Sequence, residues 1–210
     1  MKNIRTIIQV LIALFASAVF CAICVNLCIY ADIGSDSITV FEDGLHHVFP
    51  ITLGTASYIY NASVIIIGLI VARKNIGWTT IAFALIEGST IDLMDLWMRP
   101  LLGNPSSYFL RWIYVFIAII TLAISIALLV LYRNGMNGLD AICFAISDHF
   151  HLSYRLIRTL SDGLLIVAGY LMGGIVGLGS IPAVLLTGTV TDFVLKIFKK
   201  MGLGIKEPHG

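Results

Sequence analysis

Four carboxylates stand out inside stretches that are largely apolar: Glu87, Asp92, Asp162 and Asp192. An ionisable side chain well inside a membrane span is costly and normally faces a partner or a water-filled path. Glu87 lies near the middle of its apolar run and is the deepest of the four, whereas Asp92 and Asp192 fall toward the ends of theirs. A carboxyl removed from water is disfavoured in its charged form. Such a group is suited to taking up and releasing a proton, or to pairing with a cationic solute. The plainer reading is that these acids cap helices, or pair with Arg155 and Arg158 to hold a bundle together. Arg158 comes one helical turn before Asp162, so the two share a helix face. That is either a structural pair or an anion-binding arginine.

Other reactive residue types say less. Cys21, Cys24 and Cys28 are three and four residues apart and share one helical face, while Cys143 lies far away. A soft-metal or redox site is one reading, and cysteine used as a small buried hydrophobe is the simpler one. His46, His47, His149 and His151 fall in two short polar segments. On a helix His149 and His151 point in different directions, so a metal would need partners from elsewhere. His209 sits in a polar tail. There is no Gly-x-Ser-x-Gly, no His-Glu-x-x-His and no glycine-rich phosphate loop leading into Lys-Ser/Thr. The expectation is no enzymatic activity, no cofactor and no metal.

The elements that must position these residues are membrane helices. Of the 210 residues, 59% are hydrophobic and only 12% charged, with a mean hydropathy of +0.97. A soluble domain carries roughly 25% charged residues to cover its surface. The net charge is +1 and the basic residues are dispersed, so nucleic acid is excluded as a partner. Runs near the ~20 residues needed to cross the hydrocarbon lie at about 6–30, 51–72, 77–97, 109–132, 155–174 and 178–198. Lys2 and Arg5 precede an apolar run containing Ala16-Ser17-Ala18, which resembles a signal peptide. The run continues to Tyr30, however, which suits a retained span. Trp97, Tyr108, Trp112 and Tyr132 read as interfacial anchors. Ala13 with Ser17, and Gly169 with Gly173, have the small-xxx-small spacing of close helix packing.

Orientation follows from Lys and Arg. With the N-terminus inside, Lys2, Arg5, Arg73, Lys74, Arg133, Arg155, Arg158, Lys196, Lys199, Lys200 and Lys206 are cytoplasmic, and only Arg99 and Arg111 are outside. That bias predicts both termini in the cytoplasm. The outer loop 31–50 holds Asp32, Asp36, Glu42 and Asp43 and no basic residue.

The chain also repeats. At a shift of 101, Gly34 meets Gly135, Phe49 meets Phe150, Asn61 meets Asp162 and Gly68 meets Gly169; at a shift of 100, Gly77 meets Gly177, Gly88 meets Gly188 and Asp92 meets Asp192. Three spans per half is an odd number, so the second half starts from the opposite side of the bilayer. The expected fold is all-α: six transmembrane helices as two inverted three-helix repeats, 1–103 and 104–200, followed by a polar cytoplasmic tail, 201–210. Inverted repeats are the usual architecture of secondary transporters, and a duplicated scaffold without transport is the alternative. Each half also holds a segment too short and polar to span, 34–49 and 135–151. These read as re-entrant or interfacial helices, or as amphipathic loops, and mark where a binding site would be sought.

At Gly135–Ala141, Ser153–Thr159 and Gly169–Ser180 the chain resembles the bacterial YczE/YyaS/YitT group of integral membrane proteins, most closely its YczE-like branch. That group has a Gly-x-Gly-Pro-x-Asp element, an Arg-Thr pair and a Gly-Gly-x-x-Gly-x-Gly-Thr stretch. The matching residues here are Gly135 to Asp140, Arg158-Thr159 and Gly173 to Ser180. The proline is Gly138 here, its first-half counterpart is Ser37, and the first-half aspartate position is Thr39. The resemblance implies a bacterial cytoplasmic-membrane protein of poorly defined function. The candidate substrate- or proton-binding residues are Glu87, Asp92, Arg158, Asp162, Asp192 and Asp140. The leading expectation is a small secondary transporter or exporter whose partners are the lipid bilayer and a small solute or proton. The alternatives are a substrate-binding subunit of an ATP-driven uptake system, docking on an ATPase module, or a non-transporting assembly factor; a homo-oligomer is also open.

Overall fold

The computed structural model describes residues 4–132 and 138–204. Lys2, Arg133, Gly135, Lys206 and His209, used above, lie outside the described residues. Eight helices follow in order: α1 Ile4–Ala31, α2 Ser37–Val48, α3 Leu53–Val71, α4 Trp78–Leu102, α5 Tyr108–Leu131, α6 Gly138–Phe150, α7 Tyr154–Leu171 and α8 Ser180–Lys200. No strand occurs among the described residues.

Four of these, α1, α3, α5 and α8, are long and apolar enough to cross a bilayer. The other two long helices are interrupted by charges along their length: Glu87, Asp92, Asp95 and Arg99 on α4, and Arg155, Arg158 and Asp162 on α7. The exposed surface is rich in large apolar side chains, including Ile66 and Ile70 on α3, Phe109 and Phe116 on α5, Leu160 and Leu164 on α7, and Leu185 on α8. So much exposed apolar surface is foreign to a monomer in water and at home against lipid. The protein is a helical membrane protein.

Local chemistry sets the helix ends. Asp36 starts α2 by accepting from the Ile38 and Thr39 amides, and Thr52 starts α3 by accepting from the Thr55 amide. The helix expected over 77–97 runs on to Leu102, with Pro100 accommodated in its last turn. Gly103, at φ 45°, ends it by donating to the Arg99 carbonyl. Asp92 is therefore an interior residue of α4 and not a terminal one. The segments 34–49 and 135–151 contain the short helices α2 and α6.

α1 packs against α4 and α5, and α5 packs against α8; α2 packs against α7, and α6 against α3. α3 meets α4, and each short helix also meets the long helix that follows it. The α1–α5 crossing is reciprocal. The Ser17 and Ser125 hydroxyls lie 2.8 Å apart, and each is 2.9 Å from the other's carbonyl oxygen. α2 lies directly on α7: a Cβ at Gly44 would stand 2.6 Å from the Gly169 carbonyl oxygen, so only glycine permits this approach. The Asp43 carboxylate pins the same end by accepting from the Ile175 amide at 2.8 Å.

Candidate functional site

α2 carries Glu42 into the bundle. The segment 31–50, expected as an acidic outer loop, instead buries Glu42 and Asp43, each 2% exposed. This corrects the loop expectation, and it has a cause. α2 is amphipathic and has polar residues on both faces, so packing against α3 and α7 encloses some of them. Glu42 is hydrogen-bonded to Ser57 of α3, and Glu87 of α4 is close enough to interact with it electrostatically. Desolvation, with Glu87 adding, holds the Glu42 carboxyl well above the usual carboxylate range, and the Ser57 hydrogen bond offsets only part of this. Burial likewise raises Asp43, against the opposing Ile175 amide.

Glu87 is buried and receives two donors. The Cys21 thiol of α1 donates at 3.0 Å, and the Asn61 amide of α3 at 2.8 Å. Asn61 also donates to Ser57, which links the two glutamates through α3. Four helices thus meet around two carboxylates. Cys21 acts here as a weak donor, a role its spacing with Cys24 and Cys28 did not announce.

Arg158 of α7 anchors an adjoining cluster. Its guanidinium donates to Asp140 of α6 at 2.8 Å and to Asp162 at 3.2 Å. Ser37 of α2 donates to Asp162 at 2.6 Å, and Tyr154 to Asp140 at 2.8 Å. Between the clusters stands Tyr60 of α3, whose nearest charges are Glu42, Arg158 and Glu87. Its buried hydroxyl has no partner among the described residues. An unsatisfied buried hydroxyl calls for a missing water, ion or ligand group. The buried Asn26 side-chain oxygen on α1 is in the same position, although its amide donates to the Ala22 and Ile91 carbonyls.

Of the six candidate residues, the structure brings Asp140, Arg158 and Asp162 together and puts Glu87 in the neighbouring cluster. Asp92 stands apart, accepting from the Thr52 hydroxyl at 2.7 Å and the Gly54 amide at 2.8 Å. It borders a cavity of about 300 Å³ that is also lined by His46, Asp95 and Arg99. There Asp95 accepts from Tyr30 at 2.6 Å and from Arg99. Asp192 is exposed on α8 and joins neither cluster. Sequence reading missed Glu42 and Tyr60. The signal for Glu42 was its place in the short segment already marked as a binding region; nothing in the sequence pointed to Tyr60.

Arg158 is shared by Asp140 and Asp162, whereas the buried Glu42 and Glu87 take part in no ion pair among the described residues. Uncompensated buried charge is expensive, which sets Glu42 and Glu87 apart from the partly exposed aspartates paired with Arg158.

A family model described as "Family of unknown function (DUF6198)" matches residues 8–196. An "Uncharacterized protein" of Haemophilus influenzae is 24% identical over 181 residues, which is 84% of this chain and 78% of that protein. No solved structure matches.

Proposed function

The chain belongs to that DUF6198 family, and we propose that it is a proton-coupled transporter of a small solute, working by alternating access of two inverted repeats. The carrying observation is the pair of buried carboxylates without an ion pair, Glu42 and Glu87, the first of them on the helix α2 that packs against α7 of the other half. A buried carboxyl pair is a natural place for a proton to enter and leave.

The repeat reading has structural support. Exchanging the halves maps α1·α4 onto α5·α8, α2·α7 onto α6·α3, and α2·α3 onto α6·α7. It maps the α1·α5 crossing onto itself, and the reciprocal Ser17–Ser125 contact is what a two-fold axis produces there. On this reading all six long helices span, with α4 and α7 keeping their charges toward the interior. The repeats are 1–103 and 104–200, and both termini are cytoplasmic. Kinship with the YczE-like branch rests on the Gly135–Asp140, Arg158-Thr159 and Gly173–Ser180 motifs.

The test is uptake into proteoliposomes under an imposed pH gradient, across cationic, zwitterionic and neutral solutes. The wild type should concentrate at least one solute, and Glu87→Gln should lower pH-driven uptake at least tenfold while keeping the thermal stability of the wild type. Unchanged uptake in Glu87→Gln would remove Glu87 from the proton path.

A further inference from the structure

The two halves have the same parts in different states of closure. In the first half, α4 lies hard against the N-terminal end of α3: a Cβ at Gly88 would stand 2.5 Å from the Gly54 carbonyl oxygen. Asp92 locks this contact by accepting from the Thr52 hydroxyl, at the N-cap of α3, and from the Gly54 amide. A carboxylate at that place is favoured by the free amides and the positive end of the helix dipole.

The second half has the counterparts. Ser153 corresponds to Thr52 and is the N-cap of α7, accepting from the Leu156 amide. Asp192 corresponds to Asp92, Gly188 to Gly88 and Arg155 to Gly54. Yet α7 and α8, although consecutive, make almost no contact, and nothing lies within 4 Å of a Cβ at Gly188. Asp192 and Arg155 are both exposed, and neither takes part in an ion pair among the described residues. The end of the molecule that carries α2 is sealed as well by Gly44 against Gly169, where the other end has Ala145 and Gly68.

We propose that Asp192, Ser153 and Arg155 form a second gate, the counterpart of the Asp92 latch. In the opposite conformation α8 closes on the N-terminal end of α7. Asp192 then accepts from the Ser153 hydroxyl and pairs with Arg155, while Asp92 leaves Thr52 and Gly54. Arginine in place of Gly54 changes the form of the closure: its Cβ prevents the close backbone approach of the first half, and a side-chain ion pair spans the wider gap. The described state is then closed at the α2 end and open between α7 and α8. This rests on the transport reading, because only alternating access requires the halves to exchange conformations.

The test is a distance measurement by electron–electron resonance between spin labels on the protein in lipid nanodiscs, with no solute. The four native cysteines are buried and leave introduced sites to be labelled. One doubly labelled variant is Ile51→Cys/Leu96→Cys, across the closed contact. The other is Leu152→Cys/Lys196→Cys, at the equivalent positions across the open one. The expected 51/96 distribution is mainly short, and the 152/196 distribution is mainly long with a minor short component. Asp92→Ala removes two hydrogen bonds to a charged group and should raise that minor component on the order of tenfold. Asp192→Arg should abolish it, and Arg155→Asp/Asp192→Arg should restore it. Because Arg155 and Asp192 are exposed and unpaired here, those variants leave the described state intact even where Asp92→Ala fails to fold. A single long 152/196 distance, the same in all variants, overturns the gate. Solute uptake measured alongside separates the two ideas. Uptake with a static 152/196 distance leaves transport standing without this gate, and exchanging distances without uptake of any solute leave the gate standing without transport.

Discussion

Glu42 and Glu87 approach each other from α2 and α4, and α3 supplies the hydrogen bonds to both, from Ser57 and Asn61. The effect on stability has a definite sign. The folded state raises the Glu42 carboxyl above its unfolded value, near 4.3 in an unperturbed chain. Below that pH both states are protonated, and the stability tied to this group is fully present. As the pH rises the unfolded chain ionises first, so stability is lost until the folded carboxyl ionises too. Glu42→Gln should therefore match the wild type at pH 4 and become progressively more stable than it toward neutral pH. Thermal unfolding in detergent across a pH series reads this directly. Equal pH slopes for the two proteins would mean that Glu42 is solvated and outside the proposed site. The acids on α4 and α7 were recognisable from the sequence because charge interrupts an apolar run there. Glu42 was not, because a carboxylate in a short polar segment looks the same whether the segment lies in water or inside a bundle.

The short helices are the elements that tie the halves together. α2 belongs to the first half but packs on α7 of the second, and α6 does the reverse on α3. The α2 contact has no room for side chains: Gly44 meets Gly169, and a Cβ at Gly174 would lie 2.3 Å from the Val40 carbonyl oxygen. Gly44→Val should force α2 away and lower stability by about 1–3 kcal/mol, the usual range for overpacking. It should also loosen the Asp43–Ile175 hydrogen bond. A thermal shift matching Gly163→Val, where nothing lies within 4 Å of a Cβ, would mean that α2 is not held this tightly. The existence of both short helices was legible in the sequence, since each segment is too short and too polar to span. Their partners were not. Period and polarity say that a helix has a buried face, but they do not say which neighbour covers it.

Across the whole molecule, the distribution of Lys and Arg predicts the topology. Ser106→Cys, in the turn between α4 and α5, should react with an impermeant thiol reagent added to intact cells. Lys74→Cys, between α3 and α4, should react only after the cells are permeabilised, because eleven of thirteen basic residues are placed on that side. The opposite labelling pattern would reverse the orientation, and with it which side of the membrane the N-terminal end of α7 faces. The sequence by itself determined that the chain is helical, that it belongs in lipid, where its long helices fall, and that its halves share a register ending in Asp92 and Asp192. These are properties of composition and periodicity, set by local physics and by the cost of polar groups in hydrocarbon. The tertiary structure alone decided that Glu42 is buried beside Glu87, that Arg158 serves Asp140 and Asp162 together, and that Asp92 is latched while Asp192 is free. A repeat in sequence makes two such positions equivalent. Only packing can make them differ, because local sequence sets where a helix forms and which face is apolar, not which neighbour covers that face.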